Sequence, residues 1–85
     1  MPANAFDLAM KLLKGRPRAF ANLERALQRR GYETVEVDVA LQKVSELGYL
    51  DDGVYAQTKV RAGFSLGRSR ADILQRLQKD GVEHF

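Results

Sequence analysis

Few side chains in this sequence are of the types that carry covalent or acid–base chemistry. Two carboxylates stand side by side, Asp51 and Asp52, one histidine occupies position 84, and there is no cysteine. A catalytic carboxylate pair must converge in a pocket whose neighbours separate the two pKa values. Asp51 and Asp52 instead sit directly ahead of an apolar helical stripe, where they can accept the free N–H groups of a helix start. Capping of that kind stabilises by about 0.5–2 kcal/mol. With His84 alone, neither a nucleophile–base pair nor a set of metal ligands can be assembled, and no Gly-rich phosphate loop is present. The residues point away from an enzyme, and no cofactor is expected.

The remaining chemistry is cationic. Arg18, Arg25 and Arg29 stand at spacings of seven and four, which places them on one face of a helix, and Arg68 and Lys79 recur further along. Arginine binds phosphate and carboxylate through a two-pronged fork, and lysine acts as a point charge. The plainer reading is that these residues only solvate helix faces. Their distribution along the chain is uneven. Residues 1–33 hold seven basic against three acidic side chains, a net +4. Residues 34–53 hold one against five, a net −4, and residues 54–85 hold six against three, a net +3. Two basic blocks around an acidic one suit a partner of acidic or mixed charge, such as a nucleoprotein, better than a membrane surface.

Positioning these groups falls to a small frame. The chain has 85 residues, of which 45% are hydrophobic and 29% charged, and its mean hydropathy is −0.37. That supports a single small core held by packing alone, since no disulfide can staple it. No apolar run reaches the ~18 residues of a membrane span, and MPANAFDLAMKLLKG lacks the features of a signal peptide, so a cytoplasmic protein is expected. Phe6, Ala9, Met10 and Leu13 form one helical stripe, which Gly15 to Pro17 end. Pro17 suits the first turn of a second helix, about residues 18–30, lined by Ala19, Phe20, Leu23, Ala26 and Leu27 and stopped by Gly31. Val35, Val37 and Val39 alternate with acids as a strand would. The 4, 3, 3 spacing of Val37, Leu41, Val44 and Leu47, with Thr34 as cap and Gly48 as stop, favours a helix. A fourth helix carries Val54, Tyr55, Ala56, Val60 and Phe64. Gly63, Ser65 and Gly67 form the next connection, and a fifth helix spans about 69–80.

An internal repeat turns these helices into an architecture. Shifted by fifty places, Leu23, Leu27, Gln28, Arg29, Gly31 and Glu33 fall on Ile73, Leu77, Gln78, Lys79, Gly81 and Glu83, and Arg18 falls on Arg68. Shifted by forty-seven, Ala9 falls on Ala56 and Leu13 on Val60. The expected fold is all-α, built from tandem three-helix repeats. Repeat one, residues 1–49, is complete. Repeat two, residues 50–85, is partial and ends in the tail Glu83, His84, Phe85, and the two stack as one cooperative domain.

The string GYLDDGVYA at 48–56, preceded by ALQRRGYE and followed by GRSRADILQRLQKDGV, resembles the RecX family of bacterial recombination regulators. The resemblance covers nearly the whole chain. It implies tandem three-helix repeats that lie in the helical groove of the RecA–DNA filament and suppress RecA's ATPase, strand-exchange and co-protease activities. The function implied is regulation of recombination, DNA repair and the SOS response, with the RecA nucleoprotein filament as partner and weak, non-specific DNA contact. Members usually carry about three repeats, and this chain holds roughly the first one and two thirds. In the matched motif, Gly48 should permit a turn, Tyr49 and Leu50 lead into it, Asp51 and Asp52 should cap, and Tyr55 with Ala56 should pack the inter-helix seam. Arg18, Arg25, Arg29, Arg68 and Lys79 are the expected partner contacts. The alternative is a stand-alone DNA-binding domain of helix-turn-helix type, which calls for a basic recognition helix. The third helix is acidic, and the second lacks a short turn before it.

Overall fold

Val35, Val37 and Val39 lie in a helix. The computed structural model describes residues 4–82, and these contain α1 (Ala5–Gly15), α2 (Phe20–Arg29), α3 (Thr34–Glu46), α4 (Asp52–Ser65) and α5 (Arg70–Lys79). No strand occurs among the described residues. α3 buries Val37, Ala40, Leu41 and Val44 on one side, a 3, 1, 3 spacing that fits a helical stripe and not a two-residue alternation. Val35 and Val39 fall on the opposite face, in solvent. The all-α expectation therefore holds. Glu83, His84 and Phe85 lie outside the described residues.

Helix starts show how the chain is divided. The Asn4 side chain accepts from Asp7 N at 2.9 Å at the head of α1, and forty-seven residues later Asp51 accepts from Val54 N at 3.1 Å at the head of α4. Ser69 does the same for α5 through Asp72 N. α2 and α3 have no such side chain of their own, their caps being Ala19 and Glu33. Thr34 is thus the first residue of α3 and not its cap, and Pro17 lies ahead of the α2 cap and not in its first turn. Asp52 corrects the expectation in a more consequential way. It occupies the first turn of α4, yet its Oδ1 accepts from Phe20 N at 2.8 Å, so it caps α2 across thirty-two residues of sequence. A carboxylate there meets both an orphan N–H and the positive end of the α2 dipole.

Two apolar clusters form the interior. α1, α2 and α3 pack on one another around Leu8, Ala9, Leu23, Leu27, Leu41 and Val44. α4 packs on α5 around Tyr55, Ala56, Ile73, Leu77 and Val82. Each cluster also borrows a residue from the other side of the repeat boundary. Leu50 belongs to the first, and Ala19, just ahead of α2, belongs to the second. Gly81 adds a close approach, since a Cβ there would lie 2.5 Å from the Ala21 Cβ, and its φ is +90°. The tip of α5 therefore abuts α2. Gly63 is inside α4 and not in the connection, where a Cβ would meet Ile73 Cγ1 at 2.6 Å. It sets how closely α4 and α5 cross. The folded chain is elongated, 41 × 21 × 18 Å.

Some apolar residues expected in the stripes face water instead. Phe20, Leu47, Val54 and Phe64 are all exposed. Gly48, with φ +82°, turns the chain after α3, and Tyr49 N donates to Val44 O at 2.9 Å, a left-handed helix ending. Tyr49 points outward and Leu50 inward. Leu23, Leu27 and Leu77 are each at most 1% exposed. Replacing any of them by alanine is expected to lower unfolding stability by about 2–5 kcal/mol. Chemical denaturation monitored by circular dichroism checks this, and an unmoved midpoint would remove that leucine from the core.

Candidate partner-binding cleft

The α4–α5 crossing leaves a depression on one side. Lys59 and Ala62 of α4, with Arg68, Arg76, Lys79 and Asp80, form much of its wall, and its volume is about 310 Å³. A second depression of about 330 Å³ adjoins it, walled by Arg16, Pro17, Arg18, Asn22 and Tyr55. The two share Lys59, Ala62 and Asp80, so they form one continuous cleft. It runs from the segment between α1 and α2 across α4 to the end of α5. Six cationic side chains line it: Arg16, Arg18, Lys59, Arg68, Arg76 and Lys79.

Carboxylates near the cleft are already engaged. Asp80 Oδ2 accepts from the Tyr55 hydroxyl at 2.8 Å, which ties α4 to the end of α5. Burial, reinforced by this bond to Asp80, pushes the Tyr55 phenol up to about 12. Asp72, half-buried on α5, accepts from Arg76 Nε at 3.1 Å and from Arg68 at 3.3 Å. The hydrogen bond from Arg76, with that from Arg68, holds its carboxyl below the ordinary carboxylate range. Arg68 and Arg76 are thereby oriented, and a partner anion can compete for them. Lys59 Nζ lies 5.5 Å from the Tyr55 ring centre, a contact that holds its long side chain against the cleft wall. Arg16, Lys59 and Lys79 form no ion pair with another of the described residues.

Arg18 is the most constrained cation. Its guanidinium donates to Asn22 Oδ1 at 3.1 Å, and its Nε is buried with no partner among the described residues. Desolvation, with Arg16 nearby, lowers its pKa. Fifty positions on, Arg68 makes the matching bond to Asp72, so the repeat preserves an i,i+4 clamp on each arginine.

Of the five expected contacts, Arg18, Arg68 and Lys79 come together in the cleft. Arg25 and Arg29 are exposed on α2 but line neither depression. Arg18 also lies two residues before α2, so it does not extend their face as the seven-residue spacing suggests. Arg16, Lys59 and Arg76 were not expected there. Arg76 was legible as the i+4 partner of Asp72, and Lys59 as i+4 to Tyr55. Arg16 had no comparable signal. No group of three or more His, Cys, Asp or Glu suited to a metal occurs among the described residues, and no helix among them is long and apolar enough to cross a membrane.

Fold and site together define a chain of tandem helical repeats with a basic cleft among the described residues. The chain is 34% identical over 76 residues to the Regulatory protein RecX of Halorhodospira halophila, covering 89% of this chain and 47% of that one. It is 32% identical over 78 residues to that of Mycolicibacterium vanbaalenii, covering 91% and 42%. With that of Legionella pneumophila it shares 30% over 79 residues, covering 93% and 53%. The chain belongs to the RecX family. It spans about half the length of the curated relatives it matches. No family model matches it, and no solved structure does.

The Tyr55 phenol makes a pH-dependent prediction. Its folded pKa is raised, so its contribution to stability is complete below the ordinary tyrosine value of about 10 and is lost as pH rises through about 12. Tyr55→Phe is expected to cost about 1 kcal/mol at neutral pH and to flatten the loss of stability between those two values. Thermal melts of both proteins across that range check it. A Tyr55→Phe curve parallel to the parent's would contradict it.

Proposed function

We propose that this chain regulates RecA, binding in the groove of the RecA–DNA filament and modulating or inhibiting RecA's activities in homologous recombination, DNA repair and the SOS response. The observation that carries the proposal is the continuous cleft, where six cations surround a carboxylate already bound by Tyr55. Relatives named Regulatory protein RecX supply the regulatory class. A cleft of one sign concentrates field lines and attracts an acidic or nucleoprotein partner. In this reading the protein is cytoplasmic and acts by binding, without catalysis. Residues 1–49 and 50–85 act as one cooperative domain, joined by Asp52, Ala19 and Leu50.

Arg18, Arg68 and Lys79, with Arg16, Lys59 and Arg76, are the primary contacts. Arg25 and Arg29 form a separate exposed patch that assists. Contact with bare DNA is weak and non-specific, because cations without a groove-reading helix recognise phosphate and not base edges. A helix-turn-helix reading has less support, since Glu36, Asp38 and Glu46 are exposed on α3 and would repel phosphate.

The test is RecA's DNA-dependent ATPase on single-stranded DNA with the chain added. The parent is expected to lower the rate, and the double variant Lys59→Glu/Lys79→Glu to lose that effect at an unchanged melting temperature. Arg25→Glu/Arg29→Glu should retain most of it. Binding to bare DNA should fall steeply with salt, by about 0.9 logarithmic units per phosphate neutralised for each tenfold rise in salt, and filament binding less steeply. A rate unaffected by the parent, or equal affinity and salt slope on the two targets, would overturn the proposal.

A further inference from the structure

The α4–α5 half of the cleft has an apolar floor and a basic rim. Gly63, Ile73 and Leu77 line it together with Ala62 and Leu66. Ile73 and Leu77 are buried there, whereas Leu66, just past the end of α4, is 71% exposed. Arg68 lays its stem along this floor, with its Cδ 3.8 Å from the place a Cβ would take at Gly63. Its methylenes thus add apolar surface while its guanidinium stays at the rim, beside Lys59, Arg76 and Lys79. An exposed leucine alone is ordinary. An exposed leucine over an apolar floor, inside a ring of four cations, selects for a ligand that is both apolar and anionic.

A nucleic-acid strand matches only the rim. Nucleobases are held by stacking on aromatic rings, and no aromatic side chain among the described residues lines this half. Tyr55, in the adjoining half, carries Lys59 5.5 Å from its ring centre. Asp80 stands on the wall that the two halves share, where it repels phosphate, and a DNA backbone has no N–H or O–H to donate to it. A peptide supplies all three parts: an apolar side chain for the floor, carboxylates on flexible stems for the rim, and backbone N–H groups for Asp80. Arg68 and Arg76 already hold one carboxylate, that of Asp72, at 3.3 and 3.1 Å, so both are posed for that group.

We propose that this half of the cleft binds an acidic peptide segment of the partner protein, centred on one large apolar side chain. That side chain sits on Ile73 and Leu66, and the flanking carboxylates reach Lys59, Arg76 and Lys79. The inference rests on the regulatory reading above for the identity of the partner and adds the chemistry of what the partner offers. The protein of the nucleoprotein filament, and not its DNA, fills this half of the cleft. Recognition of acidic motifs by a cluster of cations is a recurring mode of peptide binding, and the apolar anchor is what separates such a motif from any other polyanion.

Amide NMR titrations of the whole chain test it with three probes. One is a short capped peptide of glutamates around a central leucine, the second has serine in place of that leucine, and the third is single-stranded oligothymidylate. The leucine peptide should shift the amides of Gly63, Leu66 and Ile73 and bind about tenfold more tightly than the serine peptide, the gain that burying one leucine side chain brings. Oligothymidylate should leave those three amides in place. Leu66→Ser should erase the preference for leucine over serine, and Ala62→Glu should weaken both peptides. Both positions are exposed, and melting curves confirm that each variant is folded. Equal binding of the two peptides, no binding of the leucine peptide up to millimolar concentration, a preference that survives Leu66→Ser, or oligothymidylate shifting the same amides would each overturn the inference. None of these outcomes involves RecA, so a chain that prefers the leucine peptide and leaves RecA's ATPase unchanged would overturn the proposed function and uphold this inference.

Discussion

The bond from Phe20 N to the Asp52 carboxylate, 2.8 Å long, is the contact on which the arrangement of the two helix clusters depends. α2 begins at a buried alanine that has no side-chain oxygen to offer its free N–H groups. Those donors sit at the positive end of the helix dipole and need a partner. Asp51 serves α4 locally, and Asp52, the next residue, turns to serve α2. One dipeptide thus caps the start of two helices, one from each cluster. Ala19 is drawn into the second core and Leu50 into the first, and Gly81 admits Ala21. These contacts exchange residues across the repeat boundary, which a mere stacking of two closed units would not require.

Cleft geometry follows from that junction. The segment carrying Arg16 and Arg18 is held against α4 because Ala19 is buried there and Phe20 is tied to Asp52. On the other side, the Tyr55–Asp80 bond fixes the end of α5, and Gly63 lets α5 lie close. The cations therefore come from three separate stretches of sequence and converge without carboxylates free to neutralise them. Asp80 is bound by the phenol, and Asp72 is shared between two arginines. A basic surface assembled in this way keeps most of its field for an external anion.

Helix number, the all-α class and the repeat were legible because each rests on local spacing. Leu23 and Leu27 reappear as Ile73 and Leu77 in equivalent buried positions, and glycines mark the ends of α2, α3 and α5. The cap at Asp51 was legible for the same reason. Asp52 was not, since its acceptor role is set by a residue thirty-two places away. The cationic site was read in part. Arg18, Arg68 and Lys79 were found through the repeat, whereas the seven-residue step from Arg18 to Arg25 mimicked a continuous helix that in fact starts at Phe20. The i+4 step from Tyr55 to Lys59 reports their contact within α4, while the place of Lys59 in the cleft depends on how α4 and α5 cross. Exposure of Val54 and Phe64 is equally tertiary, because which side of α4 is buried is set by its packing on α5.

Amide hydrogen exchange on the parent and on Asp52→Ala tests the central claim most directly. The slowest amides of all five helices in the parent should open with one common free energy, as a single cooperative unit does. In Asp52→Ala, α4 and α5 should open at a lower free energy than α1 and α3, which keep most of their protection. Separate opening energies already present in the parent, or an equal loss throughout the variant, would contradict the claim that the Asp52–Phe20 bond joins the two clusters.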